Sequence, residues 1–428
     1  MKLAAQANVF GWLLLLGVVT VLVGIGAGLS GLVVSVGVHA ISSAAYDYSH
    51  GTFLNGLLTT DPWRRVAALA VAGLIGGIGW WALRRFARPV VSVAATVGTT
   101  GPAARMPAVA TIFNAALQTI IVGLGASIGR EVAPRELAAL VAGWLTDKAG
   151  VSARERRILV ACGAGAGLAA VYDVPLGGAI FAIEVLLAEI SLATVFTALT
   201  TAGIAALVAR LVVPAETVFA LPQFQLTPAL YLWAVLVGPI LGLAAVGYLR
   251  LVLLAERLRP RDWNVLWIMP VVFTAVGFAS LALPAILGNG QPLAEVAFSA
   301  TASIGLLAVL AATKALATAA TMASGAAGGN LTPSLALGAA TGGVLGGLWS
   351  MWWPGTPVAA FAFVAAAAFL AATMRAPVTA LVLVVEFTGQ GPALLVPAMI
   401  AVVGAFAVSL IERRRESSRT ESLARPPE

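Results

Sequence analysis

Two short segments about 200 residues apart carry the residues that could do chemistry in this chain. Residues 129–134 read GREVAP and residues 329–333 read GNLTP, so each interrupts an apolar run with glycine and then places proline at a helix start. Proline suits the first turn of a helix, whose first backbone N–H groups have no intrahelical partner. Such helix starts attract anions. The two segments therefore predict an anion site built from backbone N–H groups.

Glu131 is the acidic side chain of these segments. It lies beside Arg130 and just ahead of a helix start, where a carboxylate is stabilised by the positive end of the helix. One interpretation is that Glu131 only caps its helix, paired with Arg130 or Arg135. The other is that its carboxylate rests in an anion site and leaves it on protonation. In that case Glu131 is a gate that anions and protons operate together.

The composition decides the broad class of the protein. Of 428 residues, 60% are hydrophobic and only 10% are charged, and the mean hydropathy is +0.98. This excludes an ordinary water-soluble globule and predicts an all-α, polytopic membrane protein. We expect one membrane domain over residues 1–411. Residues 412–428 are rich in Arg, Ser, Glu and Pro, so we expect a disordered cytoplasmic tail there.

The apolar segments fall into two groups. Six are long enough for a crossing, which takes about 20 residues: 9–38, 66–83, 192–213, 229–256, 264–287 and 392–411. The others are shorter or interrupted by Gly and Pro: 106–128, 134–146, 157–170, 175–189, 303–323, 333–350, 357–373 and 377–388. Short helices predict broken elements whose ends are surrounded by protein or by a water-filled cavity.

The arginines cluster between or after the hydrophobic segments, at 84–88, 257–261 and 413–415. In a chain this apolar, with a net charge of +7, such clusters are typical of cytoplasmic loops. We therefore place all three clusters in the cytoplasm. We expect no nucleic-acid partner.

The interruptions recur in matched order. Pro175 precedes Glu184 by nine positions and Pro377 precedes Glu386 by nine positions, each about 40 residues after its glycine–proline break. Broken hydrophobic segments at matching places predict inverted repeats, here roughly 9–213 and 229–411, with a binding site mid-membrane where they meet. The alternative is that Gly and Pro are simply common in membrane helices. That explains their frequency but not their matched order.

Several segments together resemble the CLC family of chloride channels and chloride/proton exchangers. Residues 129–131 are similar to the family's gating-glutamate motif, and residues 329–333 to its second anion-binding loop. Residues 371–379 (AATMRAPVT), continuing through 386–388 (EFT), resemble its late-helix signature almost residue for residue. The likeness extends from about residue 24 to residue 411. It implies a CLC-type inverted repeat of broken and tilted helices.

The resemblance also implies site residues and partners. Glu131 would be the gate, and Thr99 would replace the serine whose hydroxyl coordinates the central anion, although a plain Gly–Pro turn is the alternative there. The anion-binding positions would be Thr99, Gly129, Arg130, Val132, Asn330, Leu331 and Thr332. Chloride would be the transported ion, without cofactor or metal. Its partners would be small anions and, in an exchanger, protons, with the chain a homodimer in the bilayer of the bacterial inner membrane.

Some positions depart from the family pattern. Val132 and Ala133 stand where glycine and proline are usual, and no tyrosine follows Glu386. Val185 occupies the position of the family's internal proton-relay glutamate, and an aliphatic side chain cannot carry a proton. Val185 therefore weakens the case for stoichiometric proton exchange but does not exclude it. The sequence leaves both a channel and an exchanger as alternatives.

The remaining intramembrane charges have structural and functional interpretations. For Glu184 and Glu386 we expect structural roles, with bonds across the interface between the repeats. Lys314 and Arg375 lie in apolar surroundings near the breaks. They could steer anions electrostatically, or they could pair with buried carboxylates or extend to the membrane surface.

There are three alternatives to chloride transport. A membrane enzyme is disfavoured because the two histidines and the single cysteine form no zinc-binding or hydrolytic pattern. A secondary transporter of organic solutes or sodium would need a larger or more acidic pocket than these breaks offer. Fluoride selectivity, as in one CLC branch, is not decided by the sequence.

Overall fold

A computed structural model of the chain describes residues 2–48, 51–99, 105–213, 217–219, 221, 227–390 and 392–424. Within these ranges the chain forms seventeen α-helices, one π-helical segment and short 3-10 turns, without a β-strand. Eight of the described helices are long and apolar enough to cross a membrane. The prediction of an all-α, polytopic membrane protein is confirmed.

The helices of the first half are α1 (Lys2–Tyr46), α2 (Phe53–Thr59), α3 (Pro62–Phe86), α4 (Val93–Gly98), α5 (Ala108–Gly123), α6 (Val132–Ala149), α7 (Ala153–Tyr172), α8 (Pro175–Phe181) and α9 (Leu192–Arg210), with the π-helical segment Ala182–Leu187 between the last two. Those of the second half are α10 (Pro228–Arg257), α11 (Val265–Ala282), α12 (Gln291–Ser299), α13 (Ile304–Ala323), α14 (Leu331–Ser350), α15 (Val358–Met374), α16 (Pro377–Thr388) and α17 (Leu395–Ala424).

The two halves repeat their helix ends. Helices α7 and α15 are followed by the C-cap residues Asp173 and Arg375, which adopt the left-handed conformation with φ of 57° and 55°. Helices α8 and α16 then begin with Pro175 and Pro377. Within each half the helix that follows the glycine break packs on the next helix, α6 on α7 and α14 on α15, and α8 contacts α16 across the halves. The matched order seen in the sequence is therefore a matched arrangement in space.

Two sequence expectations differ from the structure. Segments 303–323 and 333–350 are predicted to be short or interrupted, yet α13 and α14 have 20 residues each and are long enough to cross the membrane. The glycines of α14 serve close packing instead, since a Cβ added to Gly342 would meet the side chain of Ala365 on α15.

The tail is the second difference. Helix α17 continues to Ala424, so most of the segment predicted to be disordered is helical. After Gly404 the sequence has no glycine or proline before Pro426 to end the helix. Residues 425–428 lie outside the described part of the chain.

Candidate anion site at the paired helix starts

The two glycine breaks are hydrogen-bonded to each other. The N–H of Gly129 donates to the carbonyl of Gly329 at 2.8 Å, and the N–H of Gly329 donates to the carbonyl of Gly129 at 2.9 Å. These residues lie just ahead of α6 and α14. The starts of the two helices, one from each half, therefore meet at one point.

Glu131 is completely buried at this point, with 0% of its surface exposed. Its Oε1 accepts a hydrogen bond from the backbone N–H of Leu331 at 2.6 Å, and its Oε2 accepts one from the hydroxyl of Thr332 at 3.1 Å. Both donors belong to the first turn of α14. The carboxylate thus occupies the positive start of the opposite half's helix, where unpaired N–H groups would otherwise hold an anion.

The capping interpretation of Glu131 is wrong. The residue occupies the N-cap position of α6, but its side chain makes no capping bond there. The guanidinium of Arg130 lies 4.8 Å above the ring of Tyr172, and Nε of Arg135 donates to the backbone carbonyl of Glu131. Among the described residues, no cation lies within ion-pair distance of the Glu131 carboxylate.

Glycine at both breaks leaves room for the Glu131 carboxylate in its observed position. A Cβ added to Gly129 or to Gly329 would overlap the carboxylate oxygens of Glu131. Neither glycine has a positive φ, so the backbone conformation itself does not demand glycine. The sequence pattern therefore reflects the close approach of one side chain to two backbone segments.

Tyr172 is a site residue that the sequence interpretation missed. Its hydroxyl lies 3.5 Å from Oε2 of Glu131 and 3.0 Å from the hydroxyl of Thr332, and it accepts a bond of 3.4 Å from Nδ2 of Asn289. Its ring packs edge-on against Phe387. A tyrosine that ends an apolar helix directly before the Asp-Val-Pro break was the available signal.

Asn330 lies at the N-cap position of α14 without using its side chain as a cap. Its Oδ1 instead accepts a hydrogen bond from the hydroxyl of Tyr248. The N–H groups at this helix start are therefore free for the Glu131 carboxylate or for an anion, as the N–H of Leu331 shows.

Two cavities of about 410 Å³ each lie on either side of the site. The Tyr48 cavity is lined by residues that include His39, Tyr48, Arg130, Tyr172, Asp173 and Asn289. The Ser92 cavity is lined by residues that include Ser92, Glu131, Arg135, Glu136, Val185 and Ser334. Adjacent residues, Arg130 and Glu131, thus line different cavities.

Helix α3 separates the mouths of these cavities. Tyr48 lies ahead of its start and Ser92 lies beyond its end. A helix of 25 residues is about 38 Å long, which exceeds the thickness of the hydrocarbon core. The two cavities therefore lie toward opposite ends of α3.

Thr99 is not part of the site. It lies at the C-terminal end of α4, is exposed, and donates its hydroxyl to the carbonyl of Ala95 at 2.6 Å. The residue that the structure brings to the cavity is Ser92, at the opposite end of this helix. Ser92 accepts the N–H of Ala95 as an N-cap, which leaves its O–H free to donate.

Val132 and Ser334 complete the wall around Glu131. Both line the Ser92 cavity, at the starts of α6 and α14. Ser334 is buried and its hydroxyl has no hydrogen-bond partner. A free buried hydroxyl beside the start of a helix is a further donor for an anion.

Lys314 and Arg375 lie outside the site. Nζ of Lys314 is completely buried and donates to the hydroxyl of Ser127 and to the carbonyls of Ile286 and Gly288 at 2.7–2.9 Å. It pairs with no carboxylate in the described part of the chain. Its hydrogen bonds connect the segment before the first glycine break to the segment between α11 and α12. Arg375 is exposed at the end of α15.

Glu184 and Glu386 bond across the halves. Glu386 accepts the N–H groups of Leu176 and Gly177 at the start of α8. Glu184 accepts the N–H groups of Val378 and Thr379 at the start of α16. Each carboxylate caps a helix of the other half, which agrees with the structural role expected from the sequence.

Comparison with known proteins identifies the family. The model of the voltage gated chloride channel family matches residues 67–410, which is more than half of the chain. The chain belongs to this CLC family. The multi-pass membrane fold, the paired breaks and the buried Glu131 are therefore features of a CLC protein.

Individual relatives support the assignment. The CLC chain is 30% identical over 371 residues to the voltage-gated ClC-type chloride channel ClcB of Escherichia coli, covering 82% of this chain and 86% of that protein. It is 28% identical over 370 residues to ClcB of Citrobacter koseri, covering 82% and 87%.

Solved CLC structures share the fold. A slow cyanobacterial Cl⁻/H⁺ antiporter matches with a TM-score of 0.80 at 20% identity, covering 92% of this chain and 93% of that one. A CLC-type fluoride/proton antiporter matches with a TM-score of 0.73 at 19% identity, covering 93% and 95%.

Proposed function

We propose that this CLC protein carries chloride, or a similarly small monovalent anion, across the membrane with the Glu131 carboxylate as its gate, in exchange for protons. The observation that supports this most directly is the hydrogen bond between Glu131 and the N–H of Leu331. A halide accepts hydrogen bonds from the same kind of donor. Carboxylate and anion therefore exclude each other from the start of α14.

The position of Glu131 between the two cavities fits a gate. An anion arriving through the Tyr48 cavity meets the guanidinium of Arg130, and one arriving through the Ser92 cavity meets the hydroxyls of Ser92 and Ser334. While the buried carboxylate holds Leu331 and Thr332, the passage between the cavities is closed.

The Ser92 cavity faces the cytoplasm in this proposal. Arg84 and Arg85 end α3, just before Ser92. Arg84 donates to the carbonyl of Pro260, next to a second arginine cluster. Arginine clusters on one side of a membrane protein mark the cytoplasmic face.

Protonation supplies the coupling. A neutral carboxyl accepts weaker hydrogen bonds than a carboxylate, so a proton on Glu131 releases it from Leu331 and Thr332. An anion can then enter the vacated place, and deprotonation returns the carboxylate and expels the anion. Because Glu131 is fully buried, each anion passage is linked to a proton on this residue.

The site favours a small anion over other solutes. The donors around the Glu131 carboxylate are one backbone N–H and the hydroxyls of Thr332 and Tyr172. Together they enclose a place the size of one carboxylate group. The described surroundings of this place offer no acidic cage for sodium and no space for an organic solute.

Flux measurements on purified protein in liposomes test the proposal. A chloride gradient should drive chloride efflux together with proton uptake, and neither sodium nor amino acids should replace chloride. Glu131→Gln should change the chloride flux and abolish its pH dependence, because the amide cannot titrate. Fluoride loading in parallel decides between the two halides. Unchanged flux and pH response in Glu131→Gln would refute the gate.

The exposed surface of α9 is compatible with a homodimer within this proposal. Leu192 and Phe196 on α9 and Ile190 just before it are between 65% and 84% exposed. They form an apolar face that either lipid or a second copy of the chain can cover. Cross-linking of single cysteines at these positions in membranes should produce a dimer. A purely monomeric pattern would contradict it.

A further inference from the structure

A second carboxylate lines the Ser92 cavity. Glu136 lies on α6, five positions after Glu131, and only 6% of its surface is exposed. Among the described residues that line this cavity, Glu131 and Glu136 are the acids and Arg135 is the base. The function proposed above uses Glu131 and leaves Glu136 without a role.

Neutral amides hold Glu136 in place. Its Oε2 accepts a hydrogen bond of 2.8 Å from Nδ2 of Asn114 and one of 3.1 Å from Nε2 of Gln118, both on α5. Asn114 is fixed in turn by Nε1 of Trp80. Within the described chain, Glu136 has no ion-pair partner within 4.0 Å. A proton can therefore bind to this carboxylate without breaking a salt bridge.

The side-chain amide of Gln118 can hydrogen-bond to Glu136 in either protonation state of the Glu136 carboxyl group. Its Oε1 is buried and has no hydrogen-bond partner, and the same holds for the hydroxyl of Thr111 on the same face of α5. Buried polar atoms are normally paired, so each exception needs an explanation. If Glu136 binds a proton, its new O–H needs an acceptor, and rotation of the Gln118 amide supplies Oε1. The orphaned acceptor is then satisfied.

Proton transfer between Glu136 and Glu131 requires intervening water because of the distance between them. Five residues of helix separate them by about 7.5 Å along the axis, which is too far for direct transfer. The shared cavity of about 410 Å³ has room for several waters, at about 30 Å³ each. Of the charged groups, Arg135 on the same helix faces both acids, while α5 and α3 present the neutral side chains of Asn114, Gln118 and Trp80.

We propose that Glu136 is the proton carrier on the Ser92 side of the gate. This rests on the proposed function. A proton from the solution on the Ser92 side is relayed by the cavity waters to the Glu136 carboxylate. Glu136 then returns to its carboxylate form as that proton passes through water to Glu131. Glu131 becomes a neutral carboxyl and releases the N–H of Leu331 to an anion. Val185 lines the same cavity and carries no proton, so Glu136 supplies the acid that this cavity requires.

The test compares proton and chloride fluxes in the same liposomes under a chloride gradient. Glu136→Gln keeps the shape of the side chain, and its carbonyl still accepts the two amide bonds. We expect its proton flux to fall about tenfold or more, with a much smaller fall in chloride flux. Glu295→Gln is the matched control, because Glu295 is a partly buried acid on α12 that accepts only the hydroxyl of Thr52. Its ratio of protons to chloride should equal that of the wild type.

A second pair of variants separates proton transfer from packing. Val185→Glu in the Glu136→Gln background places an acid in the same cavity and should restore part of the proton flux. Gln118→Leu removes the partner that serves both protonation states and should also lower the proton-to-chloride ratio.

The outcomes for Glu136 and for the gate are distinct. Wild-type coupling in both Glu136→Gln and Gln118→Leu would overturn the role of Glu136. A wild-type protein that moves chloride without protons would overturn it too, while leaving Glu131 as an anion gate. Unchanged flux and pH response in Glu131→Gln would overturn the gate itself.

Discussion

The carboxylate of Glu131, in the first half of the chain, accepts a hydrogen bond of 2.6 Å from the backbone N–H of Leu331, in the second half. The mutual backbone bonds of Gly129 and Gly329 hold these two residues in register. In the proposed mechanism, the gate and the helix start that it blocks therefore belong to different repeats. A substitution in either glycine break should therefore affect both the Glu131 carboxylate and the start of α14.

Gly329→Ala should displace the gate. The added Cβ would overlap the Glu131 carboxylate, while the nearest atoms to a Cβ in Gly328→Ala belong to the flexible side chain of Ile128. We expect the Gly329 variant to conduct chloride with little dependence on pH, because its carboxylate can no longer rest on Leu331. Gly328→Ala should keep the wild-type pH profile. A Gly329→Ala protein with a normal pH profile of chloride flux would contradict the steric argument.

Ser92 and Thr99 offer a paired test of the hydroxyl that is proposed to bind the anion. Loss of one hydrogen bond to the anion costs about 1 kcal/mol, or about fivefold in chloride affinity. Ser92→Gly should show this loss while keeping most of the capping of α4, since glycine is a tolerable N-cap. Thr99→Ala should bind chloride like the wild type, because its hydroxyl is bonded to Ala95. Isothermal titration with chloride measures both, and weaker binding in Thr99→Ala alone would reverse the assignment.

The sequence predicts the membrane class, the two glycine breaks and the position of Glu131 at a helix start, because composition and helix-start chemistry are local signals. It also predicts that Glu184 and Glu386 bond across the halves, since their matched spacing from proline reflects the repeat. These inferences need no knowledge of which helices touch.

Contacts between distant segments explain the failures. Thr99 and Ser92 both flank α4, and only the packing of that helix decides which end faces Glu131. Tyr172 and Glu136 look like ordinary helix residues until α14 and α5 are placed beside them. The hydrogen bond between Tyr172 and Thr332 spans 160 positions, and no local pattern predicts such a pair.

Lys314 should prove structural. Its ammonium serves three oxygen acceptors, and the hydroxyl of Ser127 also bonds to Thr318. Lys314→Met therefore leaves the carbonyls of Ile286 and Gly288 unpaired, at a cost of about 1–3 kcal/mol each. We expect a large fall in thermal stability in detergent and poor recovery of folded protein. Arg375→Gln, at an exposed position, should be nearly neutral. A stable Lys314→Met protein with altered anion selectivity would instead favour electrostatic steering.

The capping bonds of Glu184 and Glu386 across the halves predict that their loss lowers stability to different degrees and leaves the coupling of protons to chloride intact. Glu184 accepts two backbone N–H groups and the hydroxyl of Thr379, whereas Glu386 accepts two backbone N–H groups. A glutamine offers only one acceptor oxygen and turns its NH₂ toward a second donor, so each substitution should cost about 1–3 kcal/mol.

Because Glu184 serves one donor more, Glu184→Gln should lower the unfolding temperature in detergent further than Glu386→Gln. The surviving folded protein should keep the wild-type proton-to-chloride ratio, since neither carboxylate lines the Ser92 cavity. This is the reverse of the pattern expected for Glu136→Gln. Loss of proton flux at unchanged stability in Glu184→Gln or Glu386→Gln would place that carboxylate on the proton route. It would then have a role beyond holding the two repeats together.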